Sequence, residues 1–341
     1  MKAAVLKNIQ NIDIEDYSIR KLNSNEVLIH VTNCGICGTD KHIFEGTAPS
    51  AKSVILGHEY SGIIVDNNNN LQFKHGDKVV VDPNIICGTC TFCKKGKINL
   101  CTHLKALGVT LNGGFAEYSI VPTSQLYTLP NEFDLSTAAF AEPLSCCLHG
   151  INQLNNILGE NAVVIGGGSI GLLFIQLAKL AGASNVFLIE PVEFKRNLGL
   201  QLGADYVFNP KAEHFLENFY DATKKDVGVI IECVGSKETV ELSINLAGKG
   251  TKIVIFGLAP KNHDVQLNLQ KLFQNEIKIF NSLLNPNTFQ QAVHLLVNNK
   301  IKVDKLVNEF ISLNQLQNVL GNFSNSRIIK YQYKNNIKEA V

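Results

Sequence analysis

The stretch AVVIGGGSIG, residues 162–171, decides the fold of the middle of this chain. Residues 162–165 form a short apolar run of the kind found in buried strands. The apolar residues that follow, as far as Ala181, recur at helical spacing, so the glycines lie at a strand-to-helix turn. Because strand and helix patterns then alternate as far as Phe256, the sequence predicts an α/β fold with a doubly wound parallel sheet.

The glycines fit the pattern G-x-G-x-x-G in the structural context that a dinucleotide requires. Gly166 permits a tight turn, Gly168 lets the backbone approach a pyrophosphate, and Gly171 lets the helix pack closely on the strand. With Ile170, these residues open a helix whose free N–H groups attract an anion. Glu190 ends the second strand, nineteen residues past Gly171, where a carboxylate can accept hydrogen bonds from the adenosine ribose. We therefore predict NAD as cofactor.

Two basic residues follow this carboxylate. Glu190 would repel the 2′-phosphate of NADP, although Lys195 and Arg196 in the next helix could soften that repulsion. Arg196 is therefore a cofactor-binding candidate, and a solvated helix face is the simpler interpretation of both residues.

Four cysteines lie within fifteen residues upstream of the fingerprint. They are Cys87, Cys90, Cys93 and Cys101. Two C-x-x-C steps and a fourth thiolate after a short loop can close a tetrahedral zinc site, and four protein ligands leave no position for water. We predict a structural zinc here, because four ordinary reduced cysteines rarely supply a fourth ligand at such spacing.

Size, charge and cysteine usage limit the classes of function. A chain of 341 residues exceeds the size at which one core usually stops growing, so we expect two domains. The net charge of +1 gives no electrostatic reason to expect nucleic acid or a membrane as partner, so the ligands are expected to be small. Nine cysteines without a disulfide framework, and a charged start at residues 1–7, predict the reducing cytoplasm.

The remaining segments carry further zinc donors. The first part of the chain has short strand patterns bounded by Gly, Asn, Asp or Pro, which predicts a β-rich lobe. Within and after it lie GICGTDKH (residues 35–42), GHEYSG (57–62), GGFAEY (113–118) and EPLS (142–145). With the cysteine loop and the glycine fingerprint, these motifs follow one another along the chain in the order found in the zinc-dependent medium-chain dehydrogenase/reductase family. The chain resembles that family over nearly its whole length.

That resemblance implies the domains and the metal ligands. It implies a GroES-like zinc catalytic domain over residues 1–143 and 281–341, and a Rossmann NAD-binding domain over residues 144–280. The catalytic zinc would be held by Cys37, His58 and a carboxylate. Both Glu59 and Glu142 are candidates for that carboxylate.

The resemblance also implies a proton relay. Thr39 and His42 match the hydroxyl and the histidine that carry the alcohol proton to water in this family, and Glu59 is a further catalytic candidate. Without the motif, a turn-stabilising hydroxyl and a surface histidine would be the simpler interpretations of Thr39 and His42.

The third zinc ligand points to a branch of the family. Liver-type alcohol dehydrogenases carry a cysteine where this chain has Glu142, whereas the sorbitol and threonine dehydrogenase branches have a glutamate. The resemblance therefore implies NAD-dependent oxidation of a secondary alcohol of a polyol or sugar derivative to its ketone. The alternatives are an L-threonine 3-dehydrogenase-like or other secondary-alcohol dehydrogenase, and a catalytically silent zinc and dinucleotide binder. Family members usually pair through an edge strand, so a homodimer or homotetramer is expected.

Overall fold

The protein consists of two compact units. The computed structural model describes residues 1–259, 264–323 and 327–335. One unit comprises Met1–Ser145 with Pro286–Val341, and the other comprises Cys146–Asn285. The domain limits predicted after residues 143 and 280 lie two and five residues before these divisions.

The elements are numbered along the described chain. The strands are β1 (Lys2–Asn8), β2 (Asn11–Asp16), β3 (Glu26–Gly35), β4 (Val54–Ile55), β5 (Glu59–Asp66), β6 (Lys78–Val81), β7 (Asn84–Ile85), β8 (Lys105–Ala106), β9 (Tyr118–Pro122), β10 (Leu126–Thr128), β11 (Asn161–Ile165), β12 (Asn185–Ile189), β13 (Tyr206–Phe208), β14 (Val229–Glu232), β15 (Lys252–Ile255), β16 (Lys278–Asn281), β17 (Val307–Ile311) and β18 (Lys330–Lys334). The helices are α1 (Gly38–Phe44), α2 (Thr91–Lys94), α3 (Leu135–Ala138), α4 (Ala141–Gln153), α5 (Ser169–Leu180), α6 (Glu193–Gln201), α7 (Phe215–Thr223), α8 (Lys237–Leu246), α9 (Leu269–Gln274), α10 (Phe289–Val297) and α11 (Leu316–Gly321). None of the helices in the described residues has the length and apolar character needed to cross a bilayer.

The first unit is built on a seven-stranded sheet. Its strands follow the order β10-β6-β5-β3-β18-β17, and β9 pairs with β3 as well. A smaller sheet has the order β2-β1-β4. Apolar side chains from β3, β5 and β6, among them Ile29, Val31, Tyr60 and Val79, are fully buried in its core. Because β18 pairs antiparallel with β3, the C-terminal segment contributes to the sheet of this unit.

Buried polar contacts fix the register of β18 in that sheet. The Nδ2 of Asn33 donates to the Oε1 of Gln332 at 3.0 Å, and the Nε2 of Gln332 donates to the carbonyl of Ser136 at 2.8 Å. Buried polar groups that lose their partner destabilise the fold, so a one-residue slip of β18 would be strongly disfavoured.

The second unit is the predicted doubly wound α/β domain. Its six strands are all parallel and follow the order β13-β12-β11-β14-β15-β16. Residues 162–165 of β11 are buried because helices cover both faces of a parallel sheet. Gly166 has a φ of +100°, and a Cβ on Gly171 would collide with the carbonyl oxygen of Gly166. The fingerprint glycines are therefore required by the close contact between β11 and α5.

A bidentate ion pair between Arg20 and Glu26 stabilises the start of β3. The two terminal nitrogens of Arg20 each donate to one oxygen of Glu26 at 2.7 Å, and the N–H of Asn23 donates to the same carboxylate at 2.9 Å. The Arg20 guanidinium lowers the pKa of Glu26 from 4.5 to about 2. A carboxyl whose pKa is lower in the folded state stabilises the fold above its ordinary pKa, and it loses that effect as pH falls toward the folded pKa.

We expect Glu26→Gln to lower the free energy of unfolding at neutral pH. The difference from wild type is expected to shrink as pH falls from about 4.5 to about 2, because protonated Glu26 no longer attracts Arg20. Urea unfolding across this pH range measures the difference. Glu132→Gln, the same change at an exposed position, is the control. If the difference in unfolding free energy between Glu26→Gln and wild type stays constant with pH, the stabilising role of the Arg20–Glu26 ion pair is contradicted.

Candidate active site

Cys37 begins helix α1 directly after strand β3. Its side chain caps the helix, with Sγ accepting the N–H of Thr39 at 3.5 Å. Asp40 completes a capping box, because its Oδ2 accepts the N–H of Cys37 at 2.9 Å. These contacts fix the position of the Cys37 sulfur relative to the sheet.

Three potential zinc donors come together in the first unit. One donor atom each from Cys37, His58 and Glu59 lies within 4.8 Å of the other two. His58 and Glu59 are buried at the start of β5. The preceding Gly57 has a φ of +90°, and a Cβ there would approach the Cys34 Sγ to 2.7 Å. The GHE motif therefore needs its glycine for the turn that brings His58 toward Cys37.

Asp40 is a site residue that the sequence analysis did not single out. It is fully buried, and its Oδ1 lies 3.4 Å from the Nδ1 of His58. Burial alone would lower the pKa of His58, but the charges of Asp40 and Cys37 raise it above its ordinary value. Because Nδ1 faces Asp40, Nε2 is the nitrogen available to a metal. The spacing of the capping box, with an acidic residue three positions after Cys37, was the sequence signal for this role.

Lys330 is the second residue that was missed. Its Nζ lies 2.8 Å from the Oε1 and 2.5 Å from the Oε2 of Glu59, and both side chains are buried. Burial alone would lower the pKa of Lys330, but Glu59, Cys37 and Asp40 together raise it. On β3, a Cβ at Gly35 would collide with the Glu59 carboxylate. No local motif marks Lys330, because it comes from β18, 271 residues after Glu59.

The charges of this cluster fit a divalent cation. Cys37, Asp40 and Glu59 are three anions when ionised, Lys330 supplies one positive charge, and His58 is neutral as a metal ligand, so two negative charges remain. Among the described residues, the Oδ1 of Asp40, the Nδ1 of His58 and the Oε2 of Glu59 are buried without a well-aligned hydrogen bond. Buried uncompensated charge is strongly unfavourable, and Zn²⁺ would neutralise it through ligands that zinc prefers.

Glu142 lies in the first turn of α4. It is buried, and its carbonyl accepts the hydroxyl of Ser145 at 2.6 Å. Its carboxylate is not part of the group of donor atoms formed by Cys37, His58 and Glu59. The choice between Glu59 and Glu142 as third ligand therefore stays a prediction.

The predicted relay residues both belong to α1. Thr39 is half-buried, two positions after Cys37. The Nδ1 of His42 lies 3.1 Å from the Thr47 hydroxyl, which itself donates to the carbonyl of His42 at 3.0 Å. In the tautomer in which Nδ1 donates to the Thr47 oxygen and the Thr47 hydroxyl donates to the carbonyl, Nε2 of His42 is a proton acceptor.

The four-cysteine loop also fits zinc. One sulfur from each of Cys87, Cys90, Cys93 and Cys101 lies within 4.8 Å of the others. The backbone N–H of Cys93 lowers the pKa of Cys90 to about 5, whereas burial and neighbouring thiols raise the pKa of Cys93 to about 12. Four thiolates repel one another when no cation is among them, and a zinc ion removes that repulsion.

The second unit places a carboxylate beside the glycine fingerprint. The Oε2 of Glu190 accepts the N–H of Gly167 at 2.6 Å, and its Oε1 accepts the N–H of Val192 at 2.8 Å. Each oxygen keeps a lone pair for a ribose hydroxyl. Gly168 is the N-cap of α5 and supplies no side-chain cap. The first-turn N–H groups, including that of Ile170, are thus available to a pyrophosphate.

Arg196 contacts backbone in this structure. Its Nη1 donates to the carbonyls of Glu190 at 2.9 Å and Pro191 at 2.7 Å. It thereby fixes the end of β12, and contact with a cofactor stays a prediction for this residue.

Comparison with known proteins identifies the family. Residues 23–131 match the alcohol dehydrogenase GroES-like domain, and residues 169–298 match the zinc-binding dehydrogenase domain. D-arabinitol dehydrogenase 1 of Uromyces fabae is 33% identical over 94% of this chain and 95% of its own length. The chain belongs to the zinc-dependent medium-chain dehydrogenase/reductase family. Sorbitol dehydrogenase of Bacillus subtilis is 30% identical over 94% of this chain and 92% of its own.

The fold comparison agrees. A zinc-binding dehydrogenase from Sinorhizobium meliloti 1021, solved bound to NADP, superposes with a TM-score of 0.94 at 36% identity, covering 98% of this chain and 99% of that one. The predicted family, the GroES-like and Rossmann fold class, and the assignment as an enzyme are thus confirmed. This dehydrogenase is an oxidoreductase of the CH–OH group that uses zinc and a nicotinamide dinucleotide, as predicted.

Two cysteine variants are expected to separate the two zinc sites. We expect about two zincs per wild-type chain and about one in both Cys37→Ala and Cys93→Ser. Cys37→Ala is expected to lose activity, because its site is predicted to bind substrate, and Cys93→Ser to lose thermal stability, because its site is predicted only to hold a loop. Elemental analysis, with activity and melting temperature measured on the same samples, tests this. A Cys37→Ala enzyme with two zincs and full activity would contradict the assignment, and each variant serves as control for the other.

Proposed function

We propose that this dehydrogenase interconverts a secondary alcohol of a polyol or sugar derivative with its ketone, using NAD. The observation that carries the proposal is the group of zinc donors formed by half-buried Cys37 with buried His58 and Glu59, in which the carboxylate is paired with Lys330. The polyol branch is favoured by Glu142, which is buried in the first turn of α4 and stands where the resemblance gives liver-type enzymes a cysteine. The names of the arabinitol and sorbitol dehydrogenase relatives support the same substrate class.

The roles follow from the donor types. Cys37, His58 and either Glu59 or Glu142 would hold the catalytic zinc, and Cys87, Cys90, Cys93 and Cys101 the structural one. When bound, the zinc supplies a Lewis acid for the alcohol oxygen, and NAD supplies the hydride acceptor. Asp40 orients the imidazole of His58, and Lys330 holds the carboxylate of Glu59.

The alcohol proton is proposed to leave through Thr39 and His42. A hydroxyl can accept and donate a proton in one step, and His42 presents Nε2 as an acceptor in the tautomer whose Nδ1 donates to Thr47. His42 is half-buried and can therefore pass the proton on to water.

NAD is proposed over NADP because of Glu190. Its carboxylate is held in place by two backbone N–H groups, so it cannot turn away from a 2′-phosphate without losing both bonds. The relative from Sinorhizobium meliloti was solved with NADP, so direct comparison of the two cofactors is part of the test.

Two alternatives remain to be separated by experiment. An L-threonine 3-dehydrogenase-like enzyme needs a cation for the substrate carboxylate, which a polyol does not require. A catalytically silent zinc and dinucleotide binder would have no use for the intact set of Cys37, His58, Thr39 and His42.

The test is a substrate and cofactor panel. Reduction of NAD⁺ and NADP⁺ is measured with pentitols, hexitols, their phosphates, L-threonine, 2,3-butanediol and simple primary alcohols. We expect the highest kcat/KM with a polyol or polyol phosphate and NAD⁺. A higher kcat/KM with L-threonine than with any polyol would contradict the proposed substrate class. A higher kcat/KM with NADP⁺ than with NAD⁺ would contradict the role of Glu190. No turnover by an enzyme that holds two zincs would favour the catalytically silent binder.

A homo-oligomer and a cytoplasmic location complete the proposal. Strand β16 is an edge of the six-stranded sheet, and the neighbouring α9 exposes Leu269 and Phe273, at 74% and 85%. Pairing with a second copy would cover such apolar surface. A four-cysteine zinc site requires reduced thiols, which the cytoplasm maintains. Sedimentation velocity measures the mass of the assembly.

We expect Thr39→Val to lower kcat by about 10²-fold while zinc and NAD still bind, because valine keeps the shape of threonine but cannot pass a proton. His42→Ala is expected to be milder, since water can replace a relay group near solvent. Steady-state kinetics across pH, with zinc content checked, measures both. Full activity in Thr39→Val would remove Thr39 from the mechanism.

A further inference from the structure

Glu232 is a buried carboxylate that the proposed function does not use. It is the last residue of β14 and is completely buried. Its Oε1 accepts the N–H groups of Val234 at 2.8 Å and Gly235 at 2.9 Å, and its Oε2 lies 3.1 Å from the same Gly235 nitrogen. Within residues 1–259, 264–323 and 327–335, no Lys, Arg or His forms a salt bridge with it, and the hydrogen bonds that it accepts there come from backbone N–H groups.

These hydrogen bonds fix the turn that follows β14. Gly235 has a φ of +78°, and a Cβ there would come within 2.7 Å of the carbonyl carbon of Gly257. The carbonyl of Glu232 in turn accepts the N–H groups of Phe256 at 2.9 Å and Gly257 at 3.0 Å. A single residue thus holds the turns after β14 and β15 against each other.

The turn after β14 also contacts the glycine fingerprint. The Cγ2 of Val234 lies 2.6 Å from the place where a Cβ on Gly166 would be, and the N–H of Cys233 donates to the carbonyl of Ile165 at 3.0 Å. Val234 is 48% exposed although it is apolar and sits at the carboxyl edge of the sheet. Ligands of doubly wound sheets bind at that edge, so exposed Val234 belongs to the surface that a dinucleotide would cover.

We propose that Glu232 is a positioning residue for the dinucleotide. Its carboxylate holds Val234 against Gly166 and Gly235 against Gly257 before the cofactor arrives, so that binding does not have to order this turn. Preorganisation of this kind improves affinity by reducing the entropy lost on binding. The inference rests on the proposed use of a nicotinamide dinucleotide, and it adds a residue that does not itself touch the cofactor.

Glu232→Gln is the direct test. The amide keeps the shape and one acceptor oxygen of Glu232, but it places an NH₂ group toward the N–H of Gly235, so the turn loosens. The dissociation constant of NADH, measured by its fluorescence without substrate, is expected to rise about tenfold, which corresponds to ~1.4 kcal/mol. The KM for NAD⁺ is expected to rise with it, while zinc content, the KM for the alcohol and kcat stay near wild type. Glu213→Gln, the same chemical change at an exposed position of the same unit, is the matched control and is expected to change none of these values.

Val234→Ala is a second test, which leaves the buried carboxylate of Glu232 unchanged. It removes the methyl groups that face Gly166 from a half-exposed site, and the NADH dissociation constant is expected to rise about threefold because apolar contact is lost. A normal dissociation constant in Glu232→Gln, with only the melting temperature lowered, would overturn the proposal. If Glu232→Gln does not fold, an unchanged dissociation constant in Val234→Ala overturns it. A wild type that binds neither NADH nor NADPH would overturn the proposed function together with this inference, whereas normal wild-type binding with unaffected variants overturns the inference alone.

Discussion

The ion pair between Glu59 and Lys330 is the interaction on which the candidate active site depends. It joins the start of β5 to β18 beneath Gly35 of β3, and both side chains are buried. Removing one partner of such a pair typically destabilises a protein by ~3–5 kcal/mol, because the other charge stays buried without compensation. Lys330 therefore fixes a carboxylate next to Cys37 and His58, and it leaves the cluster with the negative charge that a divalent cation needs.

Three buried carboxylates, one in the first unit and two in the second, are held in place by backbone N–H groups. Asp40 is fixed by the N–H of Cys37, Glu190 by those of Gly167 and Val192, and Glu232 by those of Val234 and Gly235. Each carboxylate thus has its position before a metal or cofactor binds, so binding does not require these side chains to be ordered. The strands supply the rigid frame, and the turns at their ends supply the polar contacts.

Short sequence motifs made the dinucleotide-binding turn and the four-cysteine zinc site predictable. The glycine fingerprint and the four-cysteine loop each lie within a short segment, so spacing alone indicates which groups meet. Asp40 lay within a quoted motif, but only the contact with His58 reveals its role. Lys330 was not predictable, because its place depends on the antiparallel register of β18 against β3. The role of Glu232 was not predictable from a short motif, because its contacts with Val234, Gly235, Phe256 and Gly257 depend on how the turns after β14 and β15 come together.

The central claim is that the buried cluster of Cys37, Asp40, His58, Glu59 and Lys330 is completed by a zinc ion. Anomalous diffraction from crystals of the active enzyme, recorded on both sides of the zinc absorption edge, tests it most directly. The account predicts two zinc peaks per chain, one among the four cysteine sulfurs and one next to Cys37 and His58. A fully active enzyme whose only zinc peak lies among the four cysteines would contradict it.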